Sequence, residues 1–496
     1  MNTLLEKSIN SVFDKWKNNI KTDIQRNDIR QALKSLSLLC GLKYNLYTDF
    51  YDQDIEDFIG ILSNKIFPNP SEHTINESHV VMLDSLAYDY HGLTQQYLRA
   101  FISMDLNILF VIIEGRYKSE QILRELEEYG KAQIYRFDPA GQDILESLLD
   151  LYHTVVSFHP ANIFTHSFSI IDSVLLKAFS GPTRYRIDYT DHLIWYGASS
   201  TDYIIEFRNW GATLSYQHKG ISKERIVMQP FYPIENDMPF CGLPMVDDHK
   251  VIIFSGGATY KIMDKEMTFL KLLLRILKEN PQAVVFFACR DDDRLLKKFI
   301  VKNQLQSRFF LIGYRSDLKS VYERIDIYLD TYPIGGGLMV QYAARNGRPV
   351  LTLKADNTLD YFEYDDNGIR YCTEYENMDD LCNSAKKLIE NERHRKNIGS
   401  VLEKKMMSET EFNQSISKMM SEKKTDYPFT EISFDYEVYR RTNLKQFLQK
   451  EASARTAGIL YSLYSYKSLI KFPYLIVFYG TVIKILEKLT SLKKNS

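Results

Sequence analysis

The stretch DIYLDTYPIGGGLMVQYAARNGRPVLTL, Asp326 to Leu353, decides the fold. It opens as a short alternating apolar run to Asp330 and turns through Tyr332-Pro333. It then passes Gly335-Gly336-Gly337, resumes as an Ala-rich helix closed by Gly347, and ends in a second apolar run. Strand, glycine turn, helix, strand is the pattern of a parallel α/β unit. A glycine turn feeding a helix lets backbone N–H groups approach an anion, and the helix start adds the positive end of its dipole. The glycines therefore have two readings: an anion cradle, or a tight turn and nothing more.

Upstream, VIIFSGGATYKI, Val251 to Ile262, repeats the logic: a strand runs into Ser255-Gly256-Gly257 and then into Tyr260-Lys261-Ile262. Glycines at a strand's carboxyl end permit close approach of a ligand, and a lysine there neutralises phosphate oxygens as a point charge. With AVVFFACR, RFFLIGY, IDIYLDT and RPVLTL as further strands, residues 245–425 read as one parallel-sheet domain. A similar series precedes it. HVVMLDS, LNILFVII, AQIYRF, HTVVSFH and DYIIEF read as strands among helices such as TQQYLRAFISM and SEQILRELEEYG, giving a second parallel-sheet domain over 78–240. Prolines 230, 233, 239 and 244 mark the connection. Residues 1–75 carry apolar positions at three and four spacing and read as a helical segment. The expected fold class is α/β: two Rossmann-like parallel-sheet domains facing a cleft, with ligands beyond the carboxyl ends of the strands.

The last segment, 430–496, reads as a basic amphipathic helical tail. From Arg440 to Ser496 eleven Lys/Arg stand against Glu451 and Glu487, although the whole 496-residue chain has a formal charge of -2. That balance excludes a strongly basic nucleic-acid binder overall and predicts no nucleic-acid partner. The longest uncharged run in the tail, Phe472 to Ile483, is too short to span a bilayer, which takes ~20 apolar residues. A basic, aromatic segment suits an anionic membrane surface, and a helical pair packed on the protein suits it equally. Five scattered cysteines without C-x-x-C spacing read as reduced thiols, and the N-terminus lacks the features of a signal peptide, so the expected location is cytoplasmic.

Tyr260-Lys261-Ile262 and Leu329-Asp330-Thr331 together resemble the nucleotide domain of GT-B glycosyltransferases, in particular the bacterial relatives of the O-GlcNAc transferase family. In that family the lysine sits on the donor diphosphate, and an Asn-Gly-His-Thr-Thr helix start cradles the same group. Here Gly335-Gly336-Gly337-Leu338-Met339 replaces the hydroxyl-bearing residues, leaving backbone N–H groups for the task. The ribose contact expected on the same helix falls at Gln341-Tyr342 instead of an acid. HVVMLDSLAYDYHGLTQQYL and GPTRYRIDYTDHLIWYGASSTDYIIEF track the family's first domain more loosely.

The resemblance implies an inverting, metal-independent transferase that uses a UDP-sugar as substrate and needs no cofactor. Lys261 and His91 are the catalytic candidates, His91 as base or as a positioning group; an imidazole titrates in the range that suits general-base work. Donor contacts fall to Ser255, Gly256, Gly257, Lys261, Arg290, Gly313, Tyr314, Gly336, Gly337, Leu338 and Met339. Asp89, Asp191 and His192 are candidates for acceptor or sugar. Asp291-Asp292-Asp293 reads as a solvated helix start, and no metal site is expected. The implied acceptor is a glycan or lipid-linked molecule of bacterial surface polysaccharide synthesis. A protein acceptor, or a non-catalytic GT-B subunit that stabilises a partner, are the alternatives.

Overall fold

The computed structural model describes residues 2–46, 49–68, 74–89, 93–113, 119–137, 143–167, 169–191, 194–235, 238–289, 293–354, 365–366, 369–370 and 373–440. Three helices come first: α1 (Asn2–Gln25), α2 (Ile29–Leu46) and α3 (Gln53–Ile66). Their apolar faces, with Ile20, Leu33, Leu36 and Ile59, merge into one core with β-strand and helix residues of the first sheet unit. The buried Lys43 ammonium ties them to Asp52 at 2.8 Å, and Lys17 meets the same carboxylate at 2.7 Å.

The first unit runs β1 (Asn76–Asp84), α4 (Thr94–Ser103), β2 (Asn107–Ile113), α5 (Glu120–Tyr129), β3 (Ala132–Phe137), α6 (Ile144–Phe158), β4 (Pro160–His166), α7 (Ile170–Leu176), β5 (Thr183–Ile187), β6 (Tyr203–Glu206), α8 (Asn209–His218) and β7 (Ile226–Met228). All strands are parallel, in the order β3-β2-β1-β4-β5-β6-β7. Inner strands such as NILFVII are buried on both faces, as a sheet covered by helices on each side requires. One expectation fails here. HTVVSFH is not a strand but the end of α6, whose buried Leu148, Leu151, Tyr152, Val155 and Phe158 keep helical spacing behind an Asp143 cap. The spacing over the whole run outweighs the local β-propensity of Thr154-Val155-Val156. The strand follows immediately as PANIFTH.

The second unit runs β8 (Val251–Gly256), α9 (Thr268–Glu279), β9 (Ala283–Ala288), α10 (Arg294–Lys302), β10 (Phe309–Gly313), α11 (Leu318–Tyr322), β11 (Ile327–Leu329), α12 (Gly337–Arg345) and β12 (Val350–Leu353). A two-strand hairpin, β13 (Asp365–Asp366) with β14 (Ile369–Arg370), precedes β15 (Thr373–Tyr375), α13 (Met378–Glu390) and α14 (Glu392–Glu403). The main sheet is again parallel, ordered β10-β9-β8-β11-β12-β15. The last long helix, α15 (Glu409–Glu422), returns to the first unit: Phe412, Ile416 and Met419 lie in the core that contains α4. Residues 424–440 then run along α8, where Thr430 and Ile432 donate their N–H groups to Asn209 and Thr213. The basic segment beyond Arg440 lies outside the described residues. Among the described residues no helix is long and apolar enough to cross a membrane.

Candidate functional site

In each sheet the strand order reverses once, between β1 and β4 in the first and between β8 and β11 in the second. At such a switch point adjacent connections leave on opposite faces and open a crevice beyond the carboxyl ends, where ligands settle. The sequence places its densest chemistry at these two points. Asp84 and His166 end β1 and β4. Ser255-Gly256 end β8 with Gly257 just beyond, and Asp330 follows β11.

The second switch point is built around Asp330. Its buried carboxylate Oδ1 accepts the N–H of Gly336 at 2.8 Å, the N–H of Thr331 at 2.9 Å and the Tyr328 hydroxyl at 3.3 Å. Thr331 closes the same turn by donating its hydroxyl to the Ile334 carbonyl at 2.6 Å. A Cβ at Gly336 would stand 3.2 Å from the Tyr328 oxygen and 3.4 Å from Asp330 Oδ1, so this glycine serves the turn, and its N–H is already engaged. The next three N–H groups, of Gly337, Leu338 and Met339, have no acceptor among the described residues, the usual state of a helix's first turn. The triple glycine therefore divides its work. Gly336 lets the turn close, and the helix that starts at Gly337 presents three free donors.

Lys261 lies across from them, in a 3-10 turn from Thr259 to Ile262. Its ammonium donates to the Gly335 carbonyl at 3.2 Å, and its own carbonyl accepts from Ile334 N–H at 3.3 Å. Burial pushes the ammonium's pKa below the ordinary lysine value, while the Asp330 charge opposes that shift. A half-buried cation with one neutral acceptor among the described residues, bonded to the turn that leads into three N–H groups without a described acceptor, is a site for an anion. Gly257 sits between the stem of Lys261 and the methyl of Thr331. Ser255 is fully buried, and its hydroxyl has no partner among the described residues. Gly313 ends β10 in the left-handed region at φ 68° with open space around it, and Tyr314 beside it is exposed.

The first switch point is a hydrogen-bonded turn. Asp84 Oδ1 accepts the N–H of Leu86 at 2.6 Å and of Ala87 at 3.0 Å, while its other oxygen takes the Thr94 hydroxyl. His166 Nδ1 stands 3.5 Å from the same carboxylate. Burial alone would raise the Asp84 pKa; the His166 ring, Thr94 and the Ala87 N–H together hold it below the usual carboxylate value. Asp84 thus fixes the turn through Leu86 and Ala87 that follows β1. His91, His192 and Arg290 lie outside the described residues.

Asp89 and Asp191 are both engaged within the protein. Asp89 caps α5 by accepting the N–H groups of Gln121 and Ile122, each at 3.0 Å. Asp191 is fully buried and holds the Arg208 guanidinium with both oxygens, one at 2.8 Å. It belongs to a buried charged cluster that sequence reading misses. Lys219 donates to Asp188 at 2.6 Å and to the Asp191 carbonyl at 2.8 Å, and Trp195 Nε1 donates to Asp188 at 2.8 Å. Burial, together with the neighbouring Asp188 and Asp191, pushes Glu206 well above the ordinary glutamate pKa, against the pull of the Lys219 charge.

The two units meet through α12. Leu338 packs on the cores of both units, and Tyr342 donates its hydroxyl to the Ile234 carbonyl at 2.6 Å. A second tie, also missed in the sequence, clamps the connection: Arg315 pairs with Asp317 and donates to the Gly242 carbonyl, while Asp317 accepts the Cys241 N–H at 2.8 Å. Among the described residues no cluster of three or more His, Cys, Asp or Glu is placed to hold a metal ion.

Residues 243–405 match the family model of glycosyl transferases group 1. No curated protein matches the chain. Among solved structures, a glycosyltransferase from Rickettsia africae superposes with a TM-score of 0.53 at 10% identity, over 70% of this chain and 98% of its own. A proposed UDP-N-acetylglucosamine 2-epimerase from Listeria monocytogenes gives 0.50 at 11% identity, over 72% and 100%. An O-GlcNAc transferase from Thermobaculum terrenum gives 0.48 at 13% identity, over 88% and 85%.

Proposed function

Because the chain is a GT-B glycosyltransferase with a group 1 glycosyl transferase domain at residues 243–405, we propose that it moves a sugar from a UDP-sugar donor to a glycan or lipid-linked acceptor of a bacterial surface polysaccharide. One observation carries this reading: the half-buried Lys261 ammonium is bonded to the Gly335 carbonyl in the turn that Asp330 holds, and that turn leads straight into three N–H groups at the start of α12 that have no acceptor among the described residues.

In a displacement at the anomeric carbon, negative charge grows on the departing diphosphate. Lys261 and the N–H groups of Gly337, Leu338 and Met339 would take up that charge, helped by the dipole of α12. Donors already fixed in place spend no energy reorganising as the charge develops. Inversion follows from a single displacement, in which the acceptor hydroxyl attacks from the face opposite the diphosphate and its proton passes to a base. His91 is proposed for that base, on its place in the sequence between β1 and α4. The reaction as written uses no metal and no cofactor.

The basic tail favours an acceptor held at an anionic membrane surface on the cytoplasmic side. The replaced cradle hydroxyls favour a second reading, a non-catalytic subunit that binds and stabilises a partner. Thermal shift with UDP and a panel of UDP-sugars, followed by donor turnover, separates them. A ligand that binds the native state alone raises its melting temperature by mass action. Stabilisation by UDP with turnover of one donor is expected; stabilisation without any turnover selects the subunit reading, and no response to any nucleotide overturns both.

A further inference from the structure

A cavity of about 850 Å³ lies between α2 and the carboxyl ends of the first sheet, away from the diphosphate cradle. Its volume is that of a site for a drug-sized ligand. The floor is apolar and buried, formed by Leu33 of α2, Ile170 of α7, and Ile194 and Trp195 of the loop that follows β5. Leu86, just past the end of β1, lines the cavity at the carboxyl end of that strand. The rim is charged. Arg30 is engaged by Asp143 at 2.5 Å, and Asp28 accepts the Gln31 N–H at 3.2 Å. Lys34 lines the same rim, exposed, with no carboxylate partner among the described residues.

An apolar floor under an unpaired ammonium matches a molecule with one greasy end and one anionic end. We propose that this cavity takes the hydrocarbon chain of a lipid phosphate, with the phosphate at Lys34. The assignment rests on the reading of the chain as a transferase for a lipid-linked acceptor, and it says where that lipid is held. A chain seated there starts from its phosphate at the rim of α2 and ends against Leu86, so the phosphate and the group it carries stay at the α2 rim, where solvent reaches them. The buried cluster of Asp188, Lys219 and Trp195 then has a use, because it fixes the loop that supplies the floor.

Trp195 makes the test direct, since it is one of three tryptophans in the chain. The full-length protein is titrated with dodecyl phosphate below its micelle concentration, with dodecyl maltoside and inorganic phosphate as controls, and tryptophan emission is read. Saturable quenching or shift by dodecyl phosphate is expected, lost in Trp195→Phe. Leu86→Arg should weaken binding at least tenfold while UDP affinity stays unchanged. Lys34→Glu should weaken dodecyl phosphate about fivefold, the upper end for one exposed ion pair, and leave dodecyl maltoside unaffected. Equal binding of inorganic phosphate, or no saturable response from a variant-free protein that still melts cooperatively, overturns the proposal. If dodecyl phosphate binds but UDP does not, the cavity stands and the glycosyl-transfer reading falls.

Discussion

Replacing Lys261 by Met removes one charge and keeps most of the stem. The ammonium is proposed to stabilise charge that appears only as the diphosphate leaves, and loss of one such donor costs about 10²–10³ in kcat, or ~2.7–4 kcal/mol. The ground-state diphosphate loses one charge-assisted hydrogen bond, about 1.5–3 kcal/mol, which weakens UDP by about ten- to hundredfold. Stability moves the other way from most core changes. The folded protein carries the burial penalty of this ammonium, which among the described residues has a single neutral acceptor, the Gly335 carbonyl at 3.2 Å, and the charge of Asp330. Met removes the penalty together with that bond, so Tm should change by no more than about 2 °C. Kinetics with the identified donor, titration calorimetry with UDP and differential scanning calorimetry on the same preparation give the three numbers. A variant that keeps its turnover, or one whose Tm falls by many degrees, would make Lys261 a structural tie and refute the reasoning.

The depressed Lys261 pKa sets a pH dependence. Bound diphosphate favours the ammonium, and the free protein loses it as pH rises through a value below the ordinary 10.5, so UDP affinity should fall on the alkaline side starting below that pH. Calorimetry of Lys261→Arg, which stays charged, should show a flat profile; a wild-type profile flat to pH 10.5 contradicts the assignment. Asp330→Ala strips the acceptor from two buried backbone N–H groups, Gly336 and Thr331, and should lower stability by at least ~2 kcal/mol in urea melts, with Asp330→Asn retaining part of it. An unchanged midpoint would show that the turn does not depend on this carboxylate. Gly211→Ala places a methyl against Asp191 and Glu206, and expression of a normally melting protein would disprove the tight packing of that buried cluster.

Much of the fold is legible because parallel sheets covered on both faces write long apolar strands between amphipathic helices, as NILFVII and TFLKLLLRILKE do. The second switch point is legible for a related reason. Asp330, the glycines and Lys261 belong to two short segments whose local pattern already says strand end and helix start. HTVVSFH misleads because its β-branched residues are read over too short a window to reveal the α6 face. What stays hidden is contact at long range. Glu56 of α3 accepts the N–H groups of Gly197 at 2.7 Å and Ser199 at 3.1 Å, and Arg315 reaches the Gly242 carbonyl. Asp89 and Asp191, attractive as acids near a turn, are spent on a helix cap and a buried guanidinium. No periodicity marks a carboxylate as taken, because its partner lies far along the chain. The return of α15 to the first unit is likewise a property of the packed chain, with Phe412 and Tyr97 meeting edge to face at 5.3 Å.

A structure solved with UDP tests the central claim most directly. Diphosphate oxygens within about 3.2 Å of the amide nitrogens of Gly337, Leu338 and Met339, and of Lys261 Nζ, are predicted. A diphosphate bound away from the start of α12, with those N–H groups still free, would contradict it.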